Sequence, residues 1–327
     1  MIFTLLYIIA AVSVTIHAAL YKRNVRSAIG WIGLAWLTPF LGAALYPLLG
    51  INRIRRKGAA LGLRSSLDSQ DEPPAYTGFE EWEIPHSGFF GQNRLAEKIT
   101  GQPLSPGNAI TPLLNGDAAY PAMIRAIENA ELSISLSTYI FDNDSSGRAF
   151  LEALCAAQQR GVQVRVIIDA LGARYSKKRM TDVFRQRGVP IAAFLSSRKH
   201  FFRYANLRNH RKIMVVDGKY GFTGGMNIRE GNVLARNTGH PIQDLHFMVE
   251  GPVVADLQRT FAIDWAFSTG EQLSGPHWYA IPERTGQVYA RGIPDGPDTD
   301  MDNMQYIILG ALNAAQYRVK IITPYFL

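Results

Sequence analysis

The sequence predicts an α/β protein, a sheet flanked by helices, preceded by a two-helix transmembrane hairpin and followed by the start of a second repeat. Three observations carry this. Two long apolar runs open the chain, helix-spaced and strand-spaced apolar patterns alternate from residue 108 onward, and one helix–strand pattern recurs at an offset of 185 residues. Apolar residues make up 47% of the 327, enough to fill a sizeable core as well as a membrane segment.

The first run, residues 2–20, is interrupted only by Thr4, Ser13, Thr15 and His17, and the second, residues 28–49, holds no charged residue. Each has about the 20 residues needed to cross a hydrocarbon core at ~1.5 Å per residue. A cleaved signal peptide would carry its positive charge ahead of the apolar stretch, whereas Lys22, Arg23 and Arg26 follow it, so the run reads as an anchor. Net charge is +7, and its placement decides its meaning. Residues 1–64 hold eight basic residues and no acid, which leaves 26 basic against 27 acidic residues in the rest. The excess belongs to the membrane-proximal segment and not to a nucleic-acid-binding face. Three basic residues lie between the runs and four, Arg53, Arg55, Arg56 and Lys57, follow the second, which by the positive-inside rule favours a cytoplasmic catalytic portion.

Residues 58–107 read as a linker at the membrane surface, rich in Ser, Pro, Gly and acids, with Asp71-Glu72-Pro73-Pro74 unable to support a helix or a central strand. Its aromatics Phe79, Trp82, Phe89 and Phe90 suit either the interface or packing against the globular part.

Residues 108–285 form the first globular unit. Helices are expected over 120–130, 147–160, 180–187 and 252–266, and strands over 132–141, 162–169, 191–194, 212–217 and 245–250. Cys155, the sole cysteine, lies in an apolar helical run and reads as a small core residue. The pattern AIENAELSISLSTYIF at 126–141 then aligns without gaps on ALNAAQYRVKIITPYF at 311–326, so residues 286–327 read as a second half stopping after one helix and the apolar strand 319–327.

Chemistry concentrates in NHRKIMVVDG, residues 209–218, which places His210, Lys212 and Asp217 at the spacing H-x-K-x4-D and is followed by Gly224-Gly225-Met226-Asn227. Residues two apart on a strand share a face, so His210 and Lys212 point into one cleft. An imidazole can attack phosphorus, and an adjacent ammonium neutralises the phosphoryl oxygens. Gly225 lets backbone approach a phosphate, and Asn227 has an amide to donate to it. Asp244 is a candidate to hydrogen-bond the His210 imidazole, or else an ordinary strand-end acid. Arg198, Lys199, Arg203, Arg208 and Arg211 form a basic group beside the motif, suited to anionic headgroups or to a solvated face. Neither the one cysteine nor the seven histidines stand at metal-ligand spacings, and the chemistry calls for no metal and no cofactor.

At these residues the sequence resembles the first catalytic motif of the phospholipase D superfamily, and within it bacterial cardiolipin synthase. The likeness extends through YIFDND, RGVQVRVIIDALG, QDLHFMVEGP, FAIDWAFSTGE and KIITPYFL to the N-terminal hairpin. The resemblance implies a phospholipase D-like mixed sheet, an inner-membrane location, phosphatidylglycerol and membrane lipid as partners, and no nucleic acid. It further implies a covalent phosphatidyl-histidine at His210, phosphate binding by Lys212, and support of the motif by Asp217. Family members complete one site from two such motifs, and the repeat offset puts a second histidine near position 395. This fragment alone is therefore expected to be inactive unless a homodimer or a missing C-terminal half completes it. A phospholipase D-type hydrolase and a non-catalytic membrane relic are the alternatives.

Overall fold

The computed structural model describes residues 2–22, 25–51, 89–175, 179–194, 209–280, 283–295 and 303–323. These fall into two compact units, one ending at Ile51 and the other beginning at Phe89.

In the N-terminal unit, helix α1 (Ile2–Tyr21) is 20 residues, about 30 Å, and is the one helix among the described residues long and apolar enough to cross a membrane. The second apolar run, expected as a single span, is instead broken. Helix α2 (Val25–Leu37) ends before Pro39, Phe40 turns the chain at φ 61°, and the run resumes as α3 (Leu41–Leu45) and a π turn (Tyr46–Gly50). Pro39 has no N–H to continue the ladder and its ring meets the preceding turn, which a count of apolar residues does not register. Small residues allow close packing: Ala11, Ala18 and Ala35 are fully buried, and a Cβ at Gly42 would lie 2.3 Å from the Leu34 carbonyl oxygen. Polar ties join the arms, with Trp36 Nε1 donating to Thr15 Oγ1 at 3.0 Å and His17 Nδ1 2.8 Å from the Tyr46 hydroxyl. Large apolar side chains such as Phe3, Leu6 and Ile9 point outward, as membrane anchoring requires.

The larger unit opens with helix α4 (Phe90–Thr100), in a region expected as linker. It packs on a C-terminal helix, α9 (Asn303–Ala314), with Gln92 Nε2 donating to the Ile307 carbonyl at 2.9 Å. Its apolar residues find their partner some 200 residues away, a pairing that local composition cannot reveal. Strand β1 (Ser105–Leu114) follows, then α5 (Asn115–Glu128), β2 (Ser133–Thr138), α6 (Ser145–Gln159), β3 (Gln163–Asp169), α7 (Met180–Gln186), β4 (Ile191–Phe194), β5 (Ile213–Val216), β6 (Tyr220–Gly224), β7 (Leu245–Glu250), α8 (Val254–Thr269) and β8 (Val288–Ala290).

The eight strands make one mixed sheet in the order β4-β3-β2-β5-β6-β7-β1-β8, parallel among β2, β3 and β4 and antiparallel elsewhere. Alternation divides its faces. Ile134, Leu136, Val164, Val166, Met214, Val216 and Phe222 join α5, α6 and α7 in the main core, where Cys155 is also buried. On the other face α8 lies so close that a Cβ at Gly221 would meet Leu257 at 2.8 Å. The strand expected over 319–327 does not form in its described part. Residues 315–323 are irregular and exposed and form no strand ladder among the described residues.

Candidate active site

His210 and Lys212 lie just ahead of β5, and the residues flanking them are pinned. Asn209 is 2% exposed. Its N–H donates to Asp169 Oδ2 at 3.0 Å, its amide donates to Asp264 Oδ2 at 2.8 Å, and its Oδ1 accepts the Arg211 N–H at 3.0 Å. Arg211 closes the clamp with a buried ion pair to Asp264, 2.6 Å between Nη1 and Oδ1. Arg211 thus belongs to the interior scaffold, correcting its place in a solvated basic face; the other four members of that group lie outside the described residues. Asp169 ends β3 and also accepts the N–H of Leu171 at 2.8 Å, so the β3 turn and the residue before His210 share one carboxylate.

Between these anchors the His210 imidazole stacks on Tyr139, ring centroids 4.1 Å apart at 28°. Lys212 Nζ lies over the same ring, 5.7 Å from its centroid, and donates to the His210 carbonyl at 2.5 Å. Burial lowers the Lys212 ammonium to a pKa of about 8, against the opposing pull of Asp244 and Asp169. His246 on β7 is lowered to about 4, first by burial and then by the charge of Lys212, and is therefore a neutral imidazole at pH 7.

The remaining sequence-derived candidates divide. Asp217 is five residues along from Lys212, roughly 16 Å at strand rise, and its carboxylate is spent elsewhere. Oδ1 accepts the N–H groups of Leu132 and Ser133 at 2.8 and 2.9 Å, and Oδ2 accepts that of Glu131 at 3.0 Å. With φ at 53° it forms the turn out of β5 and ties it to the start of β2, so it does not join the other two beside Tyr139. Asn227 Oδ1 accepts the Ile140 N–H at 3.0 Å, beside Tyr139. Gly225 packs directly against the Asp244 carboxylate, where a Cβ would lie 2.4 Å from Oδ1 and oblige that side chain to shift. The Asp244 backbone exchanges hydrogen bonds with Asn115, N–H to Oδ1 and C=O from N–H, both 2.9 Å, and its Oδ1 accepts the Leu245 N–H at 2.8 Å. Its charge acts on Lys212.

A family profile described as the phospholipase D-like domain of cardiolipin synthase matches residues 123–265, a span that contains His210, Lys212, Tyr139 and the residues that clamp them. Cardiolipin synthase A of Pseudomonas putida is 30% identical over 331 aligned positions, covering 99% of this chain and 67% of the relative. The chain belongs to the cardiolipin synthase family. It spans about two thirds of the length of the curated cardiolipin synthases it matches, among them cardiolipin synthase 1 of Bacillus cereus at 27% identity, with 98% of this chain and 65% of that protein covered. The phospholipase D family member Nuc of Salmonella typhimurium superposes at TM-score 0.39 and 17% identity over 51% of this chain and 99% of its own, a likeness too loose to build on.

Within this cardiolipin synthase-family site, Tyr139, Asp169, Asn209, Asp264 and His246 escaped the sequence reading. Asp169 and Asp264 look like surface acids until the fold turns them inward to one asparagine. Tyr139 sits in an apolar strand run with nothing to separate it from core aromatics. His246, two residues after Asp244 on a strand, offered the one usable signal, the same i, i+2 spacing that pairs His210 with Lys212.

Proposed function

We propose that this chain carries the phosphatidyl-transferring histidine of an enzyme that joins two phosphatidylglycerol molecules into cardiolipin and releases glycerol. The observation that carries the reading is the His210 and Lys212 pair held against Tyr139 in a cardiolipin synthase-family cleft. An imidazole nitrogen of His210 attacks the phosphorus of the first phosphatidylglycerol, the bond from phosphorus to the glycerol headgroup breaks, and a phosphatidyl-histidine results. A primary hydroxyl of the second phosphatidylglycerol then attacks the same phosphorus and the P–N bond breaks. Lys212 neutralises the non-bridging oxygens in both steps, Asp244 steadies its charge, and the Asn227 amide and the backbone at Gly225 receive the phosphate. Asp217 supports the motif from the far end of β5.

The headgroup leaving as glycerol takes up a proton and the attacking hydroxyl gives one up, work for a second acid–base histidine. These 327 residues contain one H-x-K-x4-D. A second copy of the chain, or sequence beyond these residues, would bring the other; if a copy does, the rate of the dilute chain rises with the square of its concentration. Helix α1 anchors the site at the bacterial inner membrane beside its lipid, with the catalytic unit on the cytoplasmic side. Vesicles of phosphatidylglycerol incubated with the protein test this. Cardiolipin and glycerol in equal amounts support it, and phosphatidic acid in place of cardiolipin makes water the acceptor and the protein a hydrolase.

A further inference from the structure

Beneath Lys212 lies a polar atom that the phosphotransfer steps do not use. Register places it. Ile213 pairs with Thr223 on β6, so one residue back Lys212 stands opposite Gly224, and Gly224 in turn pairs with His246 on β7. Extended by that one residue ahead of β5, the register puts Lys212, Gly224 and His246 in one row toward one face, with about 10 Å between the outer backbones. The middle member has no side chain. A Cβ at Gly224 would lie 2.6 Å from the Leu245 carbonyl oxygen and 2.7 Å from His246 Nδ1, so the imidazole stands directly against the glycine on the side of the lysine's row. Gly224 also holds φ at 154°, a conformation that L side chains rarely adopt, so no side chain stands between the lysine and the imidazole in this row. His246 is 2% exposed, and its Nδ1 has no hydrogen-bond partner among the described residues. A buried polar atom left without a partner is costly, and such atoms in a folded protein call for an explanation.

We propose that His246 is a positioning residue whose Nδ1 accepts one N–H of the Lys212 ammonium past the side-chain-free Gly224, aiming the lysine at the phosphate. The donors then add up. An ammonium has three N–H groups and no acceptor. One goes to the His210 carbonyl, one to His246, and the third faces the cleft. A neutral imidazole with its proton on Nε2 is the tautomer that can accept, and the neutral state of His246 is consistent with that. The other groups facing the ammonium are Asp244 at the head of β7, Asp169 at the end of β3, and the Tyr139 ring. The inference rests on the reading of Lys212 as the phosphate-binding lysine, and its test reads the lysine's proton and not turnover, so the two fail separately.

The full chain in detergent micelles is labelled with trace acetic anhydride from pH 6 to 11, and the acetylation of each lysine is followed by mass spectrometry with Lys219 as internal reference. In the unaltered chain the Lys212 midpoint lies near 8. His246→Leu removes the acceptor of a charge-assisted bond and lowers that midpoint by about one pH unit or more. His246→Gln, whose amide oxygen still accepts, keeps it within about half of that change. An unmoved midpoint in His246→Leu overturns the proposal, as does a glutamine variant indistinguishable from leucine. A second measurement needs no substitution: long-range 1H–15N correlation of histidine-labelled protein places the His246 proton on Nε2, and a proton on Nδ1 overturns the proposal even if neither variant folds.

Discussion

Asp217 belongs to the signature by spacing, yet its carboxylate faces backbone, and replacing it separates a scaffold role from a chemical one. In Asp217→Ala three N–H groups lose their acceptor. Ser133 is buried, so its N–H is orphaned at about 1–3 kcal/mol, whereas Glu131 and Leu132 are exposed and exchange to water at a net cost of about 0.5–1.5 kcal/mol each. Alanine is also less tolerant than aspartate of φ near 53°, adding up to about 1 kcal/mol. The expected loss is about 2–7 kcal/mol. Asp217→Asn keeps one acceptor oxygen and the left-handed tolerance, and should lose only about 1 kcal/mol. Thermal unfolding in detergent reads the global effect, and hydrogen exchange at residues 131–133 reads it locally. An alanine variant that melts like the parent, with unchanged exchange there and yet no phosphotransfer, refutes the scaffold reasoning and returns Asp217 to the chemistry.

Three further outcomes follow from the cleft. Arg211→Met removes the cation from the buried Asp264 carboxylate and should cost about 3–5 kcal/mol in melting, while the double variant with Asp264→Leu recovers that cost less the about 1–3 kcal/mol of the Asn209 amide it orphans; a double variant less stable than Arg211→Met would contradict the buried-pair account. Lys212, with a folded pKa of about 8 below the usual 10.5, binds fewer protons folded than unfolded between those values. Stability should therefore rise across pH 8 to 10.5, by at most about 3 kcal/mol, and Lys212→Met should flatten that rise and stabilise the protein at pH 7; a melting curve set showing no rise in the parent rules this out. Tyr139→Leu removes the surface on which the His210 ring stacks and should slow attack on phosphorus about two- to tenfold, whereas Tyr139→Phe keeps the rate; identical rates in all three chains would mean that the stacking is incidental.

Much of the fold was readable because strong local patterns agree with tertiary needs. The strand expected over 191–194 is β4, and the strand expected over 245–250 is β7. β1 escaped because Pro106 and Pro112 argue against a strand. It tolerates them where β8 pairs only with its Ser105 to Asn108 end, with a register shift between those two residues. β6 escaped because Tyr220-Gly221-Phe222-Thr223-Gly224 is glycine-rich, and its glycines answer to α8 and to His246, which no local window contains. The site was legible where chemistry is local, in His210 and Lys212 two residues apart, and illegible where it is assembled. Asp169, Asn209, Arg211 and Asp264 converge from three elements, and Asp217 kept its place in the motif while its partners lay 84 to 86 residues earlier.

The central claim is that His210 becomes the phosphatidyl carrier. The direct measurement is to quench the protein at intervals after mixing with phosphatidylglycerol, digest it under neutral conditions, and locate any acid-labile phosphoryl adduct by mass spectrometry. The account predicts an adduct on His210 that forms before cardiolipin and disappears into it, and is absent from His210→Asn. Turnover to cardiolipin with His210 unmodified throughout, or with the adduct on another residue, would contradict it.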